Sequence, residues 1–148
     1  MRLLGIFLFI SLSYGCEKNA GCTQFGTDNY DPAAVFDDGS CILAREKFVG
    51  QFNVGSDCIS SDYTRTIEIT SGQFVVAINN IADTLGSVEA RVYGNNITID
   101  PQTIDNLITV EGAGVFAEDS TISISYRIRD QRNGVVQIYD CLETCTRL

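Results

Sequence analysis

Thr121-Ile122-Ser123-Ile124-Ser125-Tyr126-Arg127-Ile128-Arg129-Asp130, followed by Gln131-Arg132-Asn133-Gly134 and then Val135-Val136-Gln137-Ile138-Tyr139, is the stretch on which the fold turns. Ile122, Ile124, Tyr126 and Ile128 alternate with Thr121, Ser123, Ser125, Arg127 and Arg129. A period of two belongs to a strand with one face in a core and the other in water. Both central residues of a type I′ turn need positive φ, which Asn-Gly tolerates best, so Asn133-Gly134 is expected to pair the strand before it with the strand after it.

The same alternation spreads outward through the chain. Ile67 and Ile69 alternate with Thr66, Glu68 and Thr70, and Val88, Ala90 and Val92 alternate with Glu89 and Arg91. Turn residues punctuate the runs at Ser71-Gly72, Asp83 to Gly86, Gly94-Asn95-Asn96, Asp100-Pro101 and Glu118-Asp119. Eight strands are predicted, near 47–54, 62–71, 73–79, 87–93, 96–100, 106–117, 121–130 and 134–147. No segment carries helical periodicity. Short connections favour an up-and-down meander, so the expected fold is all-β: an eight-stranded antiparallel meander closing into a small barrel, with a two-sheet sandwich as the competing architecture.

The amino terminus has a different character. Arg2 precedes an apolar run from Leu3 to Leu12, and small or polar residues lead to Cys16, which is the layout of a secretory signal over residues 1–15. The run is shorter than the roughly 20 residues a spanning helix needs. Gly15-Cys16 resembles the lipobox of bacterial lipoproteins, with Leu12 and Ser13 upstream as in the looser lipoboxes of Bacteroidetes. That resemblance implies a Cys16 acylated by chains such as palmitate, a tether over 16–20 and an address on the bacterial outer membrane, facing either side. Ordinary signal cleavage, with Cys16 free or bridged, is the alternative.

Ten basic against nineteen acidic residues give a formal charge of −9. Such a balance opposes phosphate backbones, so nucleic acid is excluded as an expected partner. Histidine is absent, which removes the usual base of a nucleophilic site and a common metal ligand. With no phosphate loop or zinc-type cysteine spacing either, no catalytic residue is assigned and enzyme activity is not expected.

Residues 21–41, from Gly21-Cys22-Thr23 through Asn29-Tyr30 and Ala34 to Asp37-Asp38-Gly39-Ser40-Cys41, form a separate small module. It resembles a short repeat of exported Bacteroidetes proteins that shares these features. So short a segment cannot bury a core, and a Cys22–Cys41 bridge is the expected staple. Asp28, Asn29, Asp31, Asp37 and Asp38 concentrate hard oxygens around Gly39, the donor chemistry of calcium. The same residues also serve as turn formers that bond their own backbone.

Three stretches of the barrel region, residues 45–148, carry a second resemblance: Phe48-Val49-Gly50-Gln51-Phe52-Asn53-Val54, Asn95-Asn96-Ile97-Thr98-Ile99-Asp100-Pro101-Gln102, and Gly112-Ala113-Gly114 before Ile122-Ser123-Ile124-Ser125-Tyr126. They resemble the lipocalin-like, calycin-type domains of small Bacteroidetes lipoproteins. The resemblance implies a barrel with a binding role, possible occupants being a small hydrophobic molecule in the lumen or, with a filled core, a surface protein or glycan on an adhesive or structural module. The inward set reads as chiefly Val, Ile, Phe and Ala. Tyr126 and Tyr139 are candidates for a cavity mouth, though one polar-tipped aromatic per strand is ordinary core chemistry; Arg127 and Arg129 face outward toward carboxylates, and Asn96-Ile97-Thr98, which matches a glycosylation acceptor pattern, is better explained as a hairpin.

Six cysteines in an exported chain imply disulfides. In a closed meander the first and last strands are antiparallel neighbours, which brings Cys58 toward Cys141. Cys141 and Cys145 lie about 13 Å apart in an extended strand at roughly 3.3 Å per residue, too far to bridge each other. The expected pair is Cys58–Cys141, with Cys145 as the odd thiol.

Overall fold

The computed structural model describes residues 19–118 and 120–148. The expected signal peptide, Cys16 and most of the expected 16–20 tether lie outside the described residues. Ten strands follow in order: β1 (Ala20–Gly21), β2 (Phe36–Asp37), β3 (Gly50–Ser56), β4 (Tyr63–Ile69), β5 (Val75–Ile78), β6 (Val88–Tyr93), β7 (Asn96–Thr103), β8 (Ile108–Phe116), β9 (Thr121–Asp130) and β10 (Gln137–Arg147). Strands β3 to β10 form a closed antiparallel barrel in which every strand pairs with its sequence neighbour. The β10–β3 ladder, from Glu143 opposite Ser56 to Arg147 opposite Phe52, closes it. That ladder decides for the barrel over the sandwich. Among the described residues no helix is long and apolar enough to cross a membrane.

Alternation sends one face of each strand inward. Phe52, Val54, Ile67, Val76, Ile78, Val110, Ile122 and Ile124 are fully buried. One end of the barrel is shut by a 3₁₀ turn, Ala44–Lys47, and by Phe48 behind it. A single turn is too short to leave a periodic signal in sequence, which is why none was expected there. Phe48 packs edge-on against Phe116 with ring centroids 5.6 Å apart. Arg147 locks the seam at this end, donating to the Val49 carbonyl at 2.6 Å and the Lys47 carbonyl at 2.5 Å. At the opposite end Ile81, in the β5–β6 connection, is also fully buried.

The β9–β10 hairpin forms as the alternation predicts, with Asp130 opposite Gln137, but its turn does not. The connection runs over 131–136, so β10 starts at Gln137 rather than 134. Gly134 donates to the Gln131 carbonyl at 3.0 Å, and Gly134 alone of the Asn-Gly pair takes positive φ, +74°. Asp130 is the cause. Its carboxylate accepts from the Arg132 amide at 2.9 Å and from the guanidinium at 2.7 Å, setting a turn one step ahead of Asn133. Those bonds hold the Asp130 carboxyl below the usual carboxylate range.

Both expected disulfides are present. Cys22–Cys41 has a Cα separation of 4.8 Å and Cys58–Cys141 one of 5.4 Å, while Cys145 is free and buried. Two bridges place the chain in an oxidising, exported environment. In the module, β1 and β2 form a two-residue parallel ladder. The module docks on the barrel through Asp28, which ion-pairs with Lys47, and through Phe25, whose ring centroid lies 5.2 Å from that of Tyr93.

Candidate functional site

A lipocalin-like reading looks first to the lumen, and this lumen is plugged. Tyr63 and Arg65 point inward from β4, Tyr126 from β9, and Glu143 and Cys145 from β10. Arg65 Nη1 lies 2.7 Å from Glu143 Oε2, and both side chains are 0 % exposed. That contact joins the charges but is not aligned as a hydrogen bond, so Oε2 has no aligned donor. Oε1 is better served, accepting from the Tyr63 hydroxyl at 2.6 Å and from the Tyr126 hydroxyl. Arg65 also donates to Tyr63 Oη at 2.7 Å, to the Asn79 carbonyl at 3.2 Å and to the Asn80 carbonyl at 3.1 Å.

Burial is the largest influence on Arg65 and opposes its charge, yet Glu143, Tyr63 and Cys145 around it together raise its pKa. Burial, reinforced by the bond to Glu143, pushes the Tyr63 and Tyr126 phenols well above their ordinary range. Burial likewise pushes the Cys145 thiol up to about 11, so it is protonated and unreactive at neutral pH. Full burial has a geometric meaning as well. No space the size of a water molecule borders Phe52, Val54, Ile67, Ile78, Ile122, Ile124 or Glu143.

Residue type hid this plug. Arg and Glu read as solvent-facing, although Arg65 shares the parity of Tyr63 and Ile67, and Glu143 that of Cys141 and Cys145. The inward set is therefore not only Val, Ile, Phe and Ala. Tyr126 and Tyr139 do not frame a mouth: Tyr126 is a buried polar-tipped core aromatic in the plug, whereas Tyr139 is exposed with its hydroxyl donating to Gln137 Oε1 at 2.8 Å. Arg127 and Arg129 do face outward, the first 2.7 Å from Asp140 and the second 3.4 Å from Glu111. Asn96 opens β7 at the β6–β7 hairpin, as expected.

The module's oxygens are engaged in its own turns. Asp31 Oδ1 accepts from the Ala33 amide at 2.8 Å, Asp37 Oδ1 from Gly39 at 2.8 Å and Asp38 Oδ1 from Ser40 at 2.9 Å. The Ser40 bonds hold the Asp38 carboxyl below its ordinary value. Asn29 ties the middle of the module to its C-terminal end, accepting from the Ile42 amide at 2.7 Å and donating to the Ser40 carbonyl at 2.6 Å, while Asp28 is taken by Lys47. Among the described residues, the one trio of ligand-type side chains within 4.8 Å is Asp57, Cys58 and Cys141, and two of those are bonded to each other.

Open space lies on the outer wall. Where the module meets the β6–β7 hairpin, Phe25, Phe74, Arg91, Val92, Tyr93 and Thr98 line a depression of about 430 Å³. Phe25 is 67 % and Tyr93 50 % exposed. Arg91 also borders an adjoining cleft of about 300 Å³ with Glu89, Asp100 and Gln102. Arg91 and Tyr93 share the outward face of β6, and Thr98 lies opposite Arg91 on β7. Arg91 pairs with Asp100 at 2.6 Å, both largely hydrated. Compared with family models, curated proteins and solved structures, the chain matches none.

Proposed function

We propose that this chain is an exported bacterial lipoprotein, held on the outer membrane by acylated Cys16, that recognises its partner with the outer wall of a plugged barrel. On this reading the lumen is not the binding site. The filled interior is the observation behind this reading: inward side chains from all eight strands are buried, and a fully buried ion pair occupies the position a hydrophobic guest would need. Admitting such a guest would separate Arg65 from Glu143, and an uncompensated buried charge costs about 3–5 kcal/mol. The disulfides and the leader support export. Multiple acyl chains, at about 0.8 kcal/mol per buried methylene, would suffice for anchoring.

Native mass spectrometry of the protein purified from its own host tests both halves. The expected mass is the chain from Cys16 plus acyl groups, with no non-covalent guest. A stoichiometric hydrophobic ligand would overturn the outer-wall reading, and an unmodified Cys16 would overturn the anchor. Cys16→Ala is expected to release the protein from membranes after a high-salt wash with its fold intact.

A further inference from the structure

From the groove between module and barrel we infer that the ligand is a neutral glycan, stacked on Tyr93 and Phe25 and hydrogen-bonded by the Arg91–Asp100 pair. This inference rests on the outer-wall reading and gives that wall a chemistry. Three aromatic rings, Phe25, Phe74 and Tyr93, line one groove, two of them half or more exposed; the other exposed aromatics, Tyr30, Phe36 and Tyr139, do not line it. The module's backbone holds the arrangement, since a Cβ on Gly26 would stand 3.3 Å from the Tyr93 ring. The Cys22–Cys41 bridge fixes the loop that carries Phe25.

Charged groups lie on the same wall. Arg91 is two residues from Tyr93 on one strand, about 7 Å along it, a distance a stacked sugar ring and its hydroxyl substituents span. A sugar has an apolar C–H face and a rim of hydroxyls, each both donor and acceptor. Here exposed ring faces adjoin a guanidinium, which only donates, and a carboxylate, which only accepts, held 2.6 Å apart. Neighbouring hydroxyls satisfy both at once. An anionic ligand meets Glu89, Asp100 and a net charge of −9. A proline-rich peptide offers carbonyl acceptors but few donors, so it addresses the Arg91 guanidinium and brings little to the Asp100 and Glu89 carboxylates.

The test is saturation-transfer NMR and calorimetry on the full-length chain purified in detergent, with maltotetraose, cellotetraose, mannotetraose, xylotetraose and chitotetraose as probes and a proline-rich decapeptide as competitor. At least one oligosaccharide is expected to bind. Tyr93→Ala, Phe25→Ala and Arg91→Ala should each weaken it about tenfold, a loss of about 1.4 kcal/mol, whereas Tyr139→Ala, on the far hairpin, should not. All four positions are exposed, so an unchanged melting temperature separates lost binding from lost folding. No binding to any probe, binding indifferent to Tyr93 and Arg91, or tighter binding of the peptide would overturn the glycan inference. A ligand found in the lumen would instead overturn the outer-wall reading beneath it.

Discussion

Glu143→Gln removes one charge from the lumen while keeping the side chain's size and a carbonyl acceptor. In the native barrel Glu143 faces Arg65 at 2.7 Å, both fully buried, and receives the hydroxyls of Tyr63 and Tyr126. The amide leaves Arg65 with the Asn79 and Asn80 carbonyls and the Tyr63 oxygen, but with no counter-charge. Breaking a buried pair from one side costs about 3–5 kcal/mol, a large share of the roughly 5–15 kcal/mol by which a domain is stable. Arg65→Met should cost a similar amount, because it strands the carboxylate instead. Arg65→Met with Glu143→Leu removes both charges and should cost much less than the single Arg65→Met and the single Glu143→Leu together, by on the order of 3 kcal/mol. It will not be free, since each tyrosine hydroxyl left buried without a partner costs about 1–3 kcal/mol. Urea unfolding followed by circular dichroism measures all four variants. At a slope of about 2 kcal/mol per molar, a 4 kcal/mol loss lowers the midpoint by about 2 M. A Glu143→Gln midpoint within about 0.5 M of the parent at equal slope would refute a closed lumen in which the two groups meet as ions, and strictly additive singles would refute their coupling.

Alkaline titration should find Tyr63 and Tyr126 silent until the fold fails. Their raised native values favour the neutral phenol, so this contribution is complete below the ordinary tyrosine value of about 10 and is lost as pH climbs above it; full phenolate absorbance with native circular dichroism would contradict this. Replacing Cys58 and Cys141 together by Ser should lower stability by about 4.5 kcal/mol, against about 3.2 kcal/mol for the Cys22 and Cys41 pair, because the loops closed span 83 and 19 residues; chemical denaturation of the two variants checks the order. Gly112→Ala should cost about 1–3 kcal/mol through overpacking, since its Cβ would fall 2.5 Å from the Ser125 carbonyl oxygen and 2.7 Å from Tyr126 Cβ, and a thermal melt unchanged from the parent would show that β8 and β9 are not in such close approach.

Strand alternation was legible wherever apolar residues occupied one parity, as in β6 and β9, and the inward faces there are those the pattern assigns. Closure was legible from the cysteines: the register that sets Glu143 opposite Ser56 continues to Cys141 and Cys58. Arg65 and Glu143 escaped notice because each, read by type alone, belongs in water, and only the partner on another strand makes burial tolerable. Asp130 shows the same limit at a turn. Asn133-Gly134 carries the stronger local preference, but two charge-assisted bonds from Arg132 to Asp130 override it. The outer groove was illegible for a simpler reason, since Phe25 and Tyr93 belong to different units and meet only when the module docks.

A closed barrel offers recognition two places, its lumen and its outside, and the energetics of the two differ here. Entry of a guest into the lumen must displace a network tied to β4, β9 and β10 and to the carbonyls of Asn79 and Asn80. Such a network transmits strain to several strands at once, because the surrounding core has no slack to absorb it. The outer groove demands no comparable rearrangement. Its aromatic rings are already exposed, its ion pair is already hydrated, and a disulfide with a docked backbone holds the module that supplies Phe25. Binding energy at the proposed site would not be consumed in ordering loops or separating buried charges, which is the advantage of a preorganised site. The plug and the staple thus act toward one end: the first makes the barrel a rigid support, and the second holds an aromatic surface against it.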